Sequence, residues 1–309
     1  MANTTPIRIR SISEFHRLRG LSKPEHPLVS IVTKDDFLGL PNLSAMNAVF
    51  DFYFIALKRT KGVSYKYGQL RYDFEDDGVL FFMSPNQVLN IEVSEVENTG
   101  ESSGWILLIH PDFIWNTPLA KSIKQYDFFD YSVNEALLLS EKEEVTLNGI
   151  IENIRQEYRA NIDKFSKRII ISHVEALLNY AERFYNRQFI TREKANHQRL
   201  ERLEKLLTDY FNSDDLISKG LPTVQYVAEK LNVSPSYLGS LLRTLTGQNT
   251  QQHIHEKLIE KAKEKISTTD LSMSEIAYEL GFEHLQSFSK LFKAKTNVSP
   301  LKFRQSFNG

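Results

Sequence analysis

The chain reads as an α+β protein of two domains, a β-barrel followed by an all-helical C-terminal domain. Three observations predict this. The length of 309 residues is about twice that of a common single domain, and 41% hydrophobic content suffices for two cores. The hydrophobic period changes from that of strands to that of helices near Ser140. A short pattern also recurs near the C-terminus, Val227-Ala228-Glu229-Lys230-Leu231 and Ile276-Ala277-Tyr278-Glu279-Leu280, 49 residues apart. Each copy sets a β-branched residue, an alanine and a leucine on one face of a short helix. A tight connection and a second amphipathic segment follow, which is how a helix-turn-helix reads in sequence.

From about Pro27 to Ile114 the residues favour strands. Phe50 to Leu57, Val63 to Phe74, Val79 to Phe82 and Trp105 to Ile109 are aromatic and β-branched, and Gly62, Gly68, Gly78, Pro85 and Gly104 punctuate them. Short strands at this spacing suggest a small antiparallel barrel or jelly roll. Ser140-Glu141-Lys142-Glu143 then resembles a helix start, continued by Val145, Ile150, Ile154 and Tyr158. A second helix, from about Phe165 to Asn186, carries Ile169, Ile170, His173, Leu177, Tyr180, Ala181 and Phe184 on one stripe that either covers the barrel or pairs with another subunit. The polar stretch from Asn186 to Gln198 reads as a linker, with a helix as the alternative.

Thr223 is placed to cap a helix running to about Leu231, and Ser234-Pro235 restarts the chain as a helix that Gly247 ends. Its core side is Tyr237, Leu238, Leu241, Leu242 and Leu245, which leaves Ser236, Gly239, Ser240 and Arg243 outward. A long helix from about Thr250 to Ser267 has Ile254, Leu258, Ala262 and Ile266 on one stripe. The second module turns at Gly281-Phe282 and resumes from about His284 to Lys295, with Phe288, Leu291 and Phe292 inward and Leu285, Gln286, Ser289, Lys290 and Lys293 outward. Asn-Val-Ser-Pro recurs at 297–300 and caps a last helix.

The net charge of −1 hides an asymmetry. Residues 1–140 hold 13 Lys/Arg and 17 Asp/Glu, whereas residues 284–309 hold Lys290, Lys293, Lys295, Lys302 and Arg304 and no acid. A basic, acid-free segment beside a helix-turn-helix favours contact with phosphates. The absence of cysteine excludes disulfides, thiolate metal sites and cysteine nucleophiles. The first twenty residues lack a signal-peptide core and no apolar run reaches the roughly 20 residues of a membrane span, so a cytoplasmic location is expected.

The C-terminal residues resemble those of the AraC/XylS family of bacterial transcription regulators. The resemblance rests on Ala228-x-x-Leu231, Ser234-Pro235-Ser236-Tyr237-Leu238, Gly247, Ala262, Ser274-Glu275-Ile276-Ala277, Gly281-Phe282, Phe288-Ser289-Lys290, Phe292-Lys293 and Val298-Ser299-Pro300. It implies two helix-turn-helix modules joined by a linker helix, with recognition helices entering successive major grooves. The N-terminal region is similar to the cupin-type sensing domain of such regulators at Lys61-Gly62, Tyr65-Lys66-Tyr67-Gly68-Gln69, Ser84-Pro85-Asn86-Gln87 and Trp105-x-x-x-x-His110-Pro111. The helices after Ser140 stand where relatives dimerise. The expected organisation is a cupin-like barrel over 1–139, a helical dimerisation segment over 140–190, a linker over 191–200 and a DNA-binding domain over 201–309. Two departures from the family pattern stand out. Gly239 and Ser240 occupy the first recognition helix where a long polar residue is frequent, and Leu285 and Gln286 replace small polar residues on the second.

The expected DNA-binding residues are Ser236, Tyr237, Ser240, Arg243, Leu285, Gln286, Ser287, Ser289, Lys290 and Lys293, with most base discrimination in the second module. Tyr53, Tyr65, Tyr67, Phe82 and Trp105 are candidates to line an effector cavity, although each is a core filler by ordinary odds. The expected partners are double-stranded DNA, a second copy of the chain, a small-molecule effector and, for an activator, RNA polymerase. No membrane, metal or cofactor is expected. The alternative is a cupin-like enzyme or small-molecule binder with a helical assembly tail. Against it, metal catalysis needs about three convergent ligands, and the barrel region has no His-x-His with a following glutamate. His110 stands alone there, and His253 and His255 are wrongly spaced to share a helix face. Asp73, Glu75, Asp76 and Asp77 precede Gly78 as a turn between strands would.

Overall fold

The computed structural model describes residues 6–37, 46–60, 64–67, 70–73, 78–91, 102–132, 135–159 and 163–306. The chain divides into two units, Met1–Gln188 and Phe189–Gly309.

In the first unit β2 (Val29–Thr33), β4 (Tyr53–Thr60), β7 (Gly78–Met83), β9 (Ser102–Ile109) and β10 (Leu137–Leu139) form a five-stranded antiparallel sheet in the order β10-β7-β4-β9-β2. A second sheet joins β1 (Ile7–Ile9), β3 (Met46–Phe50) and β8 (Val88–Ile91), and β5 (Ser64–Tyr67) pairs with β6 (Leu70–Asp73). Among the described residues the strands form separate open sheets and no closed barrel. The expected continuous strand from Phe50 to Leu57 breaks at Asp51-Phe52, so that β3 and β4 join different sheets.

Residues paired directly across antiparallel strands share a face. The registers Ile55↔Phe82, Ile55↔Leu107, Leu57↔Trp105 and Tyr53↔Ile109 therefore gather Tyr53, Ile55, Leu57, Phe82, Trp105, Leu107 and Ile109 on one side of the large sheet. All seven are buried. The opposite side carries Met83 and Leu108, which share a cluster with Ile9, Ile12, Phe15, Phe50, Phe52 and Leu89 from the small sheet, its loops and α1 (Ile12–Leu18).

The first side is covered by helical segments. After α2 (Pro111–Ile114) and α3 (Leu119–Ser122), these are the 3-10 turn Asp127–Asp130, α4 (Glu141–Arg159) and α5 (Ser166–Thr191). Phe82 packs on Phe128, Phe129 and Tyr185, and Trp105 donates its indole N–H to Asn148 on α4 at 2.8 Å. Strand β10 is an edge whose open backbone groups are met by side chains of α5. Gln188 accepts from the Leu138 N–H and donates to the Ala136 carbonyl, while Arg187 donates to the Leu138 carbonyl and to both carboxylate oxygens of Glu143. An edge strand saturated in this way offers no template for further pairing. Of the stripe expected either to cover the barrel or to pair with another subunit, Ile170, Leu177 and Phe184 are buried within the protomer, and Ile169 stays exposed.

The second unit is helical, with α6 (Glu193–Phe211), α7 (Asp215–Lys219), α8 (Val224–Lys230), α9 (Pro235–Thr246), α10 (Thr250–Thr268), α11 (Met273–Glu279), α12 (Leu285–Thr296) and α13 (Pro300–Gln305). The stretch expected to be a linker over 191–200 is helical, because Leu200, Leu203, Leu207 and Phe211 continue an apolar period that docks α6 into the core of this unit. On α10 the stripe Ile254, Leu258, Ala262 and Ile266 is buried as its spacing predicts, and it shares one core with Ala228, Leu238, Ala277, Phe288 and Phe292. Side-chain caps mark the helix starts: Thr223 on α8, Ser234 on α9, Asn249 on α10, Ser272 on α11 and Ser299 on α13. Each such cap is worth about 1 kcal/mol.

Candidate nucleic-acid interface

Two helix-turn-helix modules stand out in the second unit, α8 with α9 and α11 with α12. Ala228 and Ala277, both buried, belong to the same core as Leu238 of α9 and Phe288 of α12. The connections share one geometry. The Val233 N–H donates to the Ala228 carbonyl at 3.0 Å, and the Phe282 N–H donates to the Ala277 carbonyl at 2.9 Å. Asn232 (φ 55°) and Gly281 (φ 79°) supply the left-handed residue that such a helix end requires. The second connection holds one residue more before its helix starts, so equivalent positions are 50 apart on α9 and α12. Ser236 thus matches Gln286, Ser240 matches Lys290 and Arg243 matches Lys293.

On α12 Phe288 and Phe292 are buried, while Leu285, Gln286, Ser287, Lys290 and Lys293 are exposed and Ser289 is half-buried. Gln286, Lys290 and Lys293 recur at i, i+4 and i+7, a single row directed away from the phenylalanines. Ser234 caps α9 with its hydroxyl, whereas His284 makes no side-chain cap on α12. On α9 Arg243 is exposed and Ser236 and Ser240 are half-buried. The Arg243 guanidinium donates to Ser240 Oγ at 3.0 Å and lies across Gly239, where an added Cβ would stand 3.8 Å from it. Tyr237 differs from the other expected contact residues. It is 3% exposed, its ring meets Phe189 edge-on at 5.2 Å and Arg199 lies 5.9 Å over it, so the structure puts it in the core.

Sequence reasoning missed what holds this surface in place. Arg304, grouped with the basic tail, donates to the carbonyls of Ile266, Leu271 and Thr269, closing the end of α10 and the loop to α11. Its spacing from α10 carries no periodic signal. Phe189 fell within the polar stretch from Asn186 to Gln198 and Arg199 within the expected linker over 191–200, and the apolar period of α6 was the available sign of a folded unit there.

Of the effector candidates, Tyr53, Phe82 and Trp105 stand on the helix-covered side of the large sheet, opposite the side packed against the small sheet. Tyr53 packs edge-on against Phe129. Strand parity decides this, since successive residues point to opposite faces, and Phe54, Ala56, Phe81 and Ile106 are the half-buried residues that face the small sheet's side. The side chains of Tyr65 and Tyr67 lie outside the described residues, as do Glu75, Asp76 and Asp77. His110 caps α2 by accepting from the Asp112 N–H at 3.3 Å. His253 contacts Thr246 and His255 contacts Gln251, each at 2.9 Å, so the two rings meet different groups. No described helix is long and apolar enough to cross a membrane.

Residues 227–306 match a family described as a helix-turn-helix domain. The chain is 33% identical over 84 residues to the raffinose operon transcriptional regulatory protein RafR of Pediococcus pentosaceus, covering 27% of this chain and 30% of the relative. It is 32% identical over 99 residues to the uncharacterized transcriptional regulatory protein YesN of Bacillus subtilis, covering 31% and 27% respectively. The match spans less than a third of either relative's length. Among solved structures, the C-terminal domain of the two-component response regulator yesN from Fusobacterium nucleatum is 30% identical, with a TM-score of 0.29, over 34% of this chain and 95% of that one. The second unit of this chain carries a helix-turn-helix domain of the AraC type.

Proposed function

We propose that the protein is a DNA-binding transcription regulator that reads two segments of duplex with α9 and α12. The observation that carries the reading is the repeated module with matched outward positions, Ser236, Ser240 and Arg243 on one helix and Gln286, Lys290 and Lys293 on the other. Amide and cationic groups on a helix of this kind can meet base edges and phosphates together. The relatives matching this segment carry the names of transcription regulators, which supports the same reading. The N-terminal unit serves as the sensing and pairing part. A second copy pairs along the exposed side of α5. RNA polymerase is a partner if the protein activates transcription.

The test is titration of the full chain into a fluorescent 40-bp duplex selected by the protein from a random library, at several salt concentrations. Affinity falls with a log–log slope near −0.9 per neutralised phosphate. Failure to enrich any duplex, or binding insensitive to salt, overturns the proposal.

A further inference from the structure

The leading turn of α12 carries a residue that neither folding nor phosphate contact accounts for. Leu285 is the first residue of the helix and 38% of it is exposed. The core of the unit takes Phe282 from the preceding turn and Phe288, Leu291 and Phe292 from the helix. Leu285 lies one position before Gln286 and one turn before Ser289, so it flanks the row of Gln286, Lys290 and Lys293. Its neighbours from Glu283 to Ser287 are all exposed. At the equivalent start of α9 stands Pro235, a half-buried ring, so an exposed, extended aliphatic side chain belongs to the second module alone.

An apolar side chain at the leading end of a helix in the major groove meets one group that distinguishes a base, the C5 methyl of thymine. The glutamine beside it has the two-point geometry that pairs with N6 and N7 of adenine. The lysines one and two turns along carry the charge that seats the helix against the phosphates. We propose that Leu285 is a specificity-determining residue that packs on the 5-methyl group of a thymine next to the base pair read by Gln286. The inference rests on the DNA-binding reading above and adds the base chemistry of the second module's segment.

Uracil in place of thymine deletes the methyl and leaves every hydrogen-bonding group of the base pair, so it isolates the contact. Each thymine of the selected duplex is replaced singly by uracil, and binding of the full chain is measured by fluorescence anisotropy for wild type, Leu285→Ala and Leu285→Met. One thymine is expected at which uracil weakens wild type about fourfold, the value of one buried methyl group. Leu285→Ala loses a similar factor on the thymine duplex and is indifferent to uracil there, whereas Leu285→Met keeps the sensitivity. The salt slope is the same for all three proteins, which separates a lost base contact from a damaged fold. Salt-dependent binding with no thymine whose replacement is coupled to residue 285 overturns this inference and leaves the DNA-binding reading standing. A wild-type chain that enriches no duplex overturns both.

Discussion

Asn232 and Gly281 adopt the same left-handed backbone conformation, φ 55° and 79°, at the same step of two helix connections. Their surroundings differ. A Cβ added at Gly281 would stand 2.6 Å from the Leu216 carbonyl oxygen and 2.9 Å from the Gly220 Cα, because the end of α7 lies directly against the second turn. Asparagine tolerates the conformation through its short polar side chain. At Gly281 backbone on both sides leaves no such room. Gly281→Ala is expected to destabilise the second unit by about 2–4 kcal/mol, combining left-handed strain with overpacking. Asn232→Gly should change it by less than about 1 kcal/mol. Both tryptophans, Trp105 and Trp115, belong to the first unit. Hydrogen exchange in α8 to α12 therefore reports the loss while tryptophan fluorescence serves as an unaffected control.

Arg304 makes a second prediction that separates structural from DNA-facing cations in the basic tail. Its planar guanidinium reaches three carbonyls left open where α10 ends, and a lysine ammonium cannot span that fan. Arg304→Ala and Arg304→Lys are both expected to cost about 2–3 kcal/mol, as for hydrogen bonds to a charged donor. Lys302→Ala, on an exposed position of the same helix, should stay within about 0.5 kcal/mol. Circular-dichroism melts of the three variants check the contrast. An Arg304→Lys protein as stable as wild type would show that charge alone matters there.

The two modules were legible in the sequence because helix caps, small crossing residues and apolar stripes are local signals. Thr223, Ser234 and the α10 stripe from Ile254 to Ile266 all lie where their spacing puts them. The N-terminal unit was less legible. Period two says that residues alternate between faces but not which face lies under helices, so Tyr53, Phe82 and Trp105 were candidates for a cavity although α4, α5 and the Asp127–Asp130 turn cover them. On the interface, outward residues such as Gln286 and Lys293 followed from periodicity. Periodicity also put Tyr237 on the core side of α9, although it was named among the contact residues; its packing partner did not follow, since Phe189 is 48 residues away and entered the reading only as part of a polar stretch.

Acidification is expected to loosen the second unit through His253 and His255. Burial lowers the pKa of both below the ordinary imidazole value; Lys295 adds to the effect at His255, while Glu256 and Glu204 oppose it at His253. The folded state then favours the neutral rings, and below about pH 6.5 the unfolded chain binds more protons than the folded one. The stability these rings contribute is complete above that value and is lost as pH falls through it towards the lowered folded pKa. Hydrogen-exchange protection factors in α9 and α10, taken against the intrinsic exchange rate at each pH, should fall between pH 7.5 and 5.5 in wild type, and the fall should shrink in a His253→Gln, His255→Gln double variant. An equal change in the double variant would assign the effect to other groups.

Pairing of two copies is expected along the solvent side of α5. Ile170, Leu177 and Phe184 are buried within the protomer, which leaves Phe165 at 44%, Ile169 at 38% and Tyr180 at 37% exposure, with half-buried His173 and Ala176 between them. These positions recur at intervals of three or four residues, from the residue just before α5 along the helix, and so form one stripe. Two copies on one duplex also raise each other's effective concentration, so a modest interface suffices in the bound state. Sedimentation velocity of the full chain at micromolar concentration should show a dimer that Ile169→Glu shifts towards monomer, with α5 retained in circular dichroism. Leu177→Ala should instead destabilise the fold by about 2–5 kcal/mol through the cavity it opens. A wild-type chain that sediments as a monomer, free and on duplex alike, would leave this stripe an ordinary surface and remove the second copy from the proposed function.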